Sequence, residues 1–325
     1  MARHEEETVR LTAASAAPVR RTSGLAVAGG IVVAALFAGA WLAWQFLGAR
    51  PATLAPAVAV VVAPAPDPFP EASEAAILAS AAPQLRAWRL AANPSILVLD
   101  FPTLAEQALM LNRLAALVEK TGLPRDRVLD DAALDQAVRA DGSSAETFYY
   151  GHNYRAADIA RFFVLADRDG IRLNAAEERL RAMARDAGWL GVASNGALVS
   201  IPHAGAEPWL DQRARAAMLR HELSHGEFFT NPAYAAAVWR LWREMLTEPE
   251  RVRLRALLAN ANYDPAIDEV MANEAQAFLF HTPDERFFTP GTAGLGSERY
   301  ASLRAAFIAA MPPGWLRDAM EGRAP

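Results

Sequence analysis

The 325-residue chain contains no cysteine. No disulfide can brace it, and no thiolate can serve as nucleophile or metal ligand. Its folded part must be held by an apolar core. A surplus of positive charge is also missing: 32 Lys and Arg stand against 37 Asp and Glu, for a formal net charge of −5. That balance leaves no electrostatic footprint for nucleic acid. Charge is absent altogether from Leu25 to Leu47, "LAVAGGIVVAALFAGAWLAWQFL". As a helix this run rises about 34 Å, enough to cross the hydrocarbon core of a bilayer.

The flanks of that run give an orientation. Trp41 and Trp44 lie near its C-terminal end, where amphipathic rings favour the headgroup region. Arg3, Arg10, Arg20 and Arg21 precede it; after Arg50 no Lys or Arg follows until Arg86. The basic side stays cytoplasmic, so the bulk of the chain is expected outside the cytoplasmic membrane, in the periplasm or beyond. A cleaved signal peptide is the rival reading, although signal cores run only about 7–15 residues. Residues 51–70 carry six prolines and almost no charge, the composition of a semi-stiff spacer. The expected organisation is a cytoplasmic tail over 1–23, a transmembrane anchor over 24–48 and a Pro/Ala-rich linker over 49–70. An N-terminal α/β subdomain over 71–174 and a catalytic region over 175–325 follow.

Helices dominate the pattern beyond residue 71, and the expected class is α+β with a small sheet. "SILVLDF", Ser95 to Phe101, predicts a buried strand. "TLAE", Thr103 to Glu106, is a capping box, and its helix stops at Gly122. A shorter helix is expected over Asp130 to Ala140. Asn153 is expected to cap "YRAADIARFFVLADRDG", and Asn174 with Glu177 to open "AAEERLRAMARDAG". "WLGVASNGALVSIP" predicts a hairpin turning at Asn195-Gly196, the pair favoured in type I′ turns. Further helices are expected up to Asn231-Pro232, then over Tyr234–Leu246, Glu248–Ala259, Pro265–Phe280 and Ser297–Ala310.

"HELSH", His221 to His225, carries the chemistry. At 100° per residue, positions i and i+4 lie about 40° apart, so both imidazoles can aim at one metal ion. Glu222 points about 100° away and can instead reach a water held on that ion. A catalytic zinc needs a third protein ligand and an open position. Cysteine is excluded, and the long metzincin pattern fails, because Phe228 and Asn231 stand where it requires Gly and His. The helix "PAIDEVMANEAQAFLFH" offers a carboxylate. Ile267, Val270, Met271, Ala277 and Phe278 all fall within about 60° of Glu274, so that acid sits in the apolar stripe. Asp268 and Glu269 fall on the wet side. A lone buried carboxylate is costly unless paired, so Glu274 is either a ligand or one half of a buried ion pair. His281 shares the stripe, as an oxyanion donor, a group behind the ligands or a satisfied histidine at a helix end. "FYYGHNY", Phe148 to Tyr154, lines a cleft or packs as a loop. His203 faces the cleft or solvent.

The motifs "HELSH" at His221–His225 and "NEAQAF" at Asn273–Phe278 resemble those of zincin metallopeptidases of the gluzincin type, in a less characterised bacterial branch. The resemblance spans residues 175–282. It implies zinc held by His221, His225 and Glu274, with Glu222 as general base. It also implies that "ALVSIP" is an edge strand along which an extended peptide substrate lies, and that Tyr263 can donate to an oxyanion. Glu274 follows His225 by 49 residues, a longer gap than in the best-known members. The expected activity is a membrane-anchored zinc peptidase. A zinc amide hydrolase acting on cell-wall or modified peptides, and a non-enzymatic envelope protein with a structural or vestigial zinc site, are the alternatives.

Glu274→Ala should cost at least the roughly 10–100-fold in zinc affinity that loss of a supporting residue costs. Metal analysis of the purified variant checks this. Unchanged zinc content would pass the ligand role to another acid, Glu269 first.

Overall fold

In the computed structural model, residues 67–191 and 195–323 are described. The Leu25–Leu47 run lies outside them, as does nearly all of the linker. Among the described residues, no helix is long and apolar enough to cross a membrane.

A five-stranded mixed sheet organises the N-terminal half. Its strands are β1 (Glu71–Ala72), β2 (Arg86–Leu90), β3 (Asn93–Phe101), β4 (His152–Arg155) and β5 (Ala197–Pro202), in the order β1-β2-β3-β5-β4. β3 and β5 pair in parallel, with Ile96 opposite Ala197 and Phe101 opposite Pro202. β4 pairs antiparallel to β5 and forms one edge.

Two sequence expectations change here. "ALVSIP" is an interior strand, and the edge is β4. The Asn195-Gly196 hairpin does not form, because the partners of β5 are β3 and β4. The physical reason is burial on both faces. Every residue of β5 is buried, as expected of a strand between two others and covered on each side. Asn153 likewise belongs to β4; Arg155 is the residue that precedes the following helix. The sheet draws on both sides of the 174/175 boundary.

The short α1 (Glu74–Leu78) follows β1, and one face of the sheet carries α2 (Leu104–Val118), α4 (Ala156–Arg168) and α5 (Ala175–Asp186). Leu97, Leu99 and Phe101 of β3 bury there with Leu111, Phe162 and Leu180. Thr103 caps α2, accepting from Glu106 N at 3.2 Å, and the Asn174/Glu177 capping box opens α5 as the sequence implies. Between α2 and β4 runs α3 (Asp131–Ala140).

The other face carries α6 (Gln212–Thr230), the helix that holds "HELSH". Leu219 and Leu223 pack on Ile96, Val98 and Val199. Gly226 permits this approach, since a Cβ there would stand 2.9 Å from Ile96 Cδ1. Asp211 caps the helix by accepting from Ala214 N at 2.8 Å. Asn231 ends it and caps α7 (Pro232–Arg240) in turn. The opposite side of α6 joins a second core built by α7, α8 (Glu248–Asn260), α9 (Asp268–His281), α10 (Ser297–Ala310) and the short α11 (Trp315–Met320). α6 is thus sandwiched between sheet and helices.

Arg299 of α10 grips Glu250 of α8 through two 2.8 Å contacts, and Thr247 N adds a third. The arginine bonds hold the Glu250 carboxyl down at about 2, against the effect of its burial. A depressed folded-state pKa gives stability that is present above the unfolded value and lost as pH falls from about 4.5 towards 2. Glu250→Gln should therefore have a melting temperature less sensitive to acid across that window, read by thermal melts at stepped pH.

Candidate metal centre

His221 and His225 project from α6 toward α9, where Glu274 faces them. Glu274 Oε2 lies 3.5 Å from His221 Nε2, and Oε1 lies 3.5 Å from His225 Nε2. One ligand atom from each residue falls within 4.8 Å of the other two. Two donors each about 2.1 Å from a tetrahedral zinc lie ~3.4 Å apart, so the spacing suits such an ion. His225 is fully buried, and Glu274 is 4% exposed.

Both ring nitrogens of His225 and Glu274 Oε2 are buried without a hydrogen-bond partner. Each such orphan costs about 1–3 kcal/mol unless something else meets it. A divalent cation bound by two nitrogens and a carboxylate would meet the convergent atoms, and the donor set is one that zinc favours. Burial holds both imidazoles neutral, pushed down to about 4. Neutral rings keep the lone pair a metal needs. Burial also raises the Glu274 carboxyl, opposed by His225 and by the Tyr263 hydroxyl.

The tautomer of His221 is set from outside the cluster. Thr282 Oγ1 donates to the Ala277 carbonyl at 2.9 Å, so it accepts from His221 Nδ1 at 2.8 Å. Nε2 is left with its lone pair facing Glu274. Phe278 packs its ring 4.8 Å from that of His221, nearly perpendicular.

Glu222 turns toward β4. Asn153 Nδ2 donates to Glu222 Oε2 at 3.0 Å. Burial pushes the Glu222 carboxyl up to about 8; the Asn153 bond lowers it and Glu274 raises it further. Gly151 sits directly over Glu222, and a Cβ there would come within 2.1 Å of Oε1. A cleft of about 360 Å³ opens above, with His221 and Glu222 in its floor. Phe148, Tyr149, Tyr150, Trp209, Phe278 and Phe287 line much of it. Gln107 and Asn112 of α2 pin one wall by donating to the carbonyls of Tyr150 and Ala145 at 2.8 and 2.7 Å.

The remaining sequence candidates fall in different places. Tyr263 lines the cleft beside Glu274. His281 does not line it. It is 1% exposed and lies behind the ligands, with Nε2 3.0 Å from Tyr234 Oη. Tyr234 donates to Gln276 Oε1 at 2.6 Å, Gln276 Nε2 donates to Ser224 Oγ at 3.0 Å, and Ser224 donates to the His221 carbonyl at 2.7 Å. This chain ties α7 and α9 to the ligand helix. His203 sits at the end of β5, 3.2 Å from Asp100, which Arg215 also engages at 2.6 Å. Glu269 pairs with Arg155 at 2.5 Å and stays away from the ligand cluster. Gly151, Asn153 and Thr282 escaped the sequence argument as site residues. "FYYGHNY" marks the first two, and no local signal marks Thr282. No family model, curated protein or solved structure matches the chain.

Gly151→Ala should displace Glu222 while leaving the His221–His225–Glu274 set in place. The variant should retain zinc, measured by metal analysis, and lose at least tenfold in any hydrolytic turnover.

Proposed function

We propose that the protein is a zinc metallopeptidase, held at the outer face of the cytoplasmic membrane by Leu25–Leu47. One observation carries the reading. Two imidazoles a helical turn apart and a buried carboxylate from a second helix converge at 3.5 Å, and a second carboxylate, Glu222, is held beside the same cleft. His221, His225 and Glu274 would hold the ion, which supplies Lewis-acid polarisation of a carbonyl and acidification of a water. A purely structural site has no use for an acid–base group at position 222.

Glu222 acts as general base. Its Oε2 is fixed by Asn153, which leaves Oε1 under Gly151 as the atom that takes a proton from the attacking water. The proton then passes to the departing nitrogen. Burial suits the group to both halves of that transfer, because a carboxyl shifted towards neutrality both accepts and releases a proton readily near pH 7. A peptide substrate would lie along β4, whose outer edge is unpaired in the sheet. The aromatic lining favours burial of apolar side chains, and Tyr263 adds a hydroxyl to it as the proposed donor to a developing oxyanion.

Glu222→Gln in the full chain is the test. It should bind zinc as the parent does and lose at least two orders of magnitude in peptide hydrolysis, the scale of general-base loss. Zinc-dependent cleavage that survives the substitution would remove Glu222 from the mechanism. Absence of zinc from the parent protein would remove the proposal.

A further inference from the structure

One wall of the cleft gathers Lys120, Asp141, Asn262 and Tyr263. Three segments meet there: the residues after α2, the residue after α3 and the turn between α8 and α9. Lys120 and Tyr263 form an isolated antiparallel bridge. Thr121 Oγ1 donates to the Asn262 carbonyl at 3.0 Å, and Asn262 Nδ2 donates to Asp141 Oδ1 at 3.1 Å. Lys120 Nζ donates to the same oxygen at 3.0 Å. Asn262 has φ 67°, the one positive value among the described non-glycine residues. That left-handed conformation is unfavourable for most side chains and persists where surrounding contacts hold it. Tyr263 and Glu119 also line a small recess with Asn153 of β4. The wall therefore stands beside the free edge of β4.

The wall has spare hydrogen-bond donors, and its acid is already engaged. Both oxygens of Asp141 are occupied: Oδ1 takes Lys120 and Asn262, and Oδ2 takes Ser143 Oγ at 2.6 Å. Lys120, the only lysine in the sequence, has given one of its three hydrogens to oxygen. The rings of Phe148 and Tyr149 lie 4.1 and 4.6 Å from its nitrogen. No other Lys or Arg lines the cleft among the described residues. Ser143, Thr147, Tyr149 and Tyr263 add hydroxyl groups to the same lining.

The end of a peptide that a cation recognises is its carboxylate. Resting on the metallopeptidase reading, we propose that the protein is a carboxypeptidase in which Lys120 receives the free C-terminal carboxylate of a peptide. Water adds to the carbonyl carbon of a peptide bond near that terminus, and the C–N bond breaks. The proton taken by Glu222 goes to the leaving amine. The products are a shortened peptide with a new carboxylate and a short C-terminal fragment. An N-terminal amine would meet the Lys120 ammonium as a like charge, and the carboxylate beside it, Asp141, already pairs with that lysine.

Paired peptides test this on the unaltered full chain loaded with zinc. An N-acetylated peptide with a free C-terminal acid should lose a short C-terminal fragment, identified by mass spectrometry. Its C-terminal amide should fall in kcat/KM by tenfold to a hundredfold, the worth of a hydrogen bond to a charged group. Zinc-loaded Glu222→Gln should bind the acid more tightly than the amide by a similar factor in calorimetry. Lys120→Met should bring the acid down to the level of the amide, and Lys120→Arg should restore part of the difference. Equal cleavage of acid and amide, cleavage that requires a free N-terminus, or an equal loss on both peptides in Lys120→Met would overturn the carboxypeptidase assignment and leave the metallopeptidase reading intact. Failure to cut any peptide, with zinc bound, would sink the peptidase reading and this assignment with it.

Discussion

Everything at the site depends on two buried helices being held in one relation. His221 and His225 belong to α6, and Glu274 belongs to α9. Their donor atoms approach to 3.5 Å, and some have no partner within the protein. Orphaned polar atoms in a dry interior push a structure apart, so the fold must hold them by other means. The chain from His281 through Tyr234, Gln276 and Ser224 to the His221 carbonyl is one such means. It crosses from α9 to α7, returns to α9 at Gln276 and passes on to α6, and every side chain in it is buried. Apolar packing of Met271, Ala275 and Leu279 against Phe228 and Val238 supplies the rest. His281 therefore matters to the site through position, from a place it never shares with substrate.

The same logic explains why α6 is buried on more than one face. A helix at a protein surface needs one apolar stripe. This helix presents Leu219, Leu223 and Gly226 to the sheet, His221 and His225 to α9, and Glu222 to the edge strand. Gly226 lies where the helix passes closest to Ile96, at a place where any side chain would force the two elements apart. Rigidity at the floor of the cleft follows from this enclosure. The cleft walls are different in kind: they come from the 141–151 segment and the turns near Trp209, Asn262 and Phe287.

Much of the helical frame was legible because capping is local. Thr103 and Asn174 act on backbone groups two or three residues away, and the sequence carries both halves of each arrangement. Glu274 was legible too, since a carboxylate in the middle of an apolar stripe announces its own cost. The sheet was not. Asn195-Gly196 favours a hairpin, but β5 is inserted between β3 and β4, which lie about 100 and 45 residues before it. That parallel pairing depends on the apolar faces of α2 and α6, which no short window contains. Asn153 reads as a helix cap for a similar reason. Its true partner, Glu222, is 69 residues distant. Thr282 is an ordinary residue after a helix end until the fold brings it to His221.

The Lys120 wall of the cleft shows how non-local contacts turn a generic floor into a particular site. On the proposed reading His221, Glu222, His225 and Glu274 hydrolyse a bond, and nothing in their geometry selects one end of a chain. Selection has to come from the walls. Lys120, Asp141 and Asn262 arrive from three separate connections and share hydrogen bonds through one carboxylate. Because Asp141 absorbs two donors at Oδ1 and a third at Oδ2, it neutralises much of the lysine without using up its hydrogens. The lysine is thereby tolerable in a nearly buried position, where a lone ammonium would be costly, and remains able to bind an anion. Aromatic faces do the same work on its other sides, since they attract a cation without satisfying its donors. On the proposed reading, the floor that cuts and the wall that recognises a terminus can therefore vary independently, the first fixed by α6 and α9 and the second by loops that meet beside them.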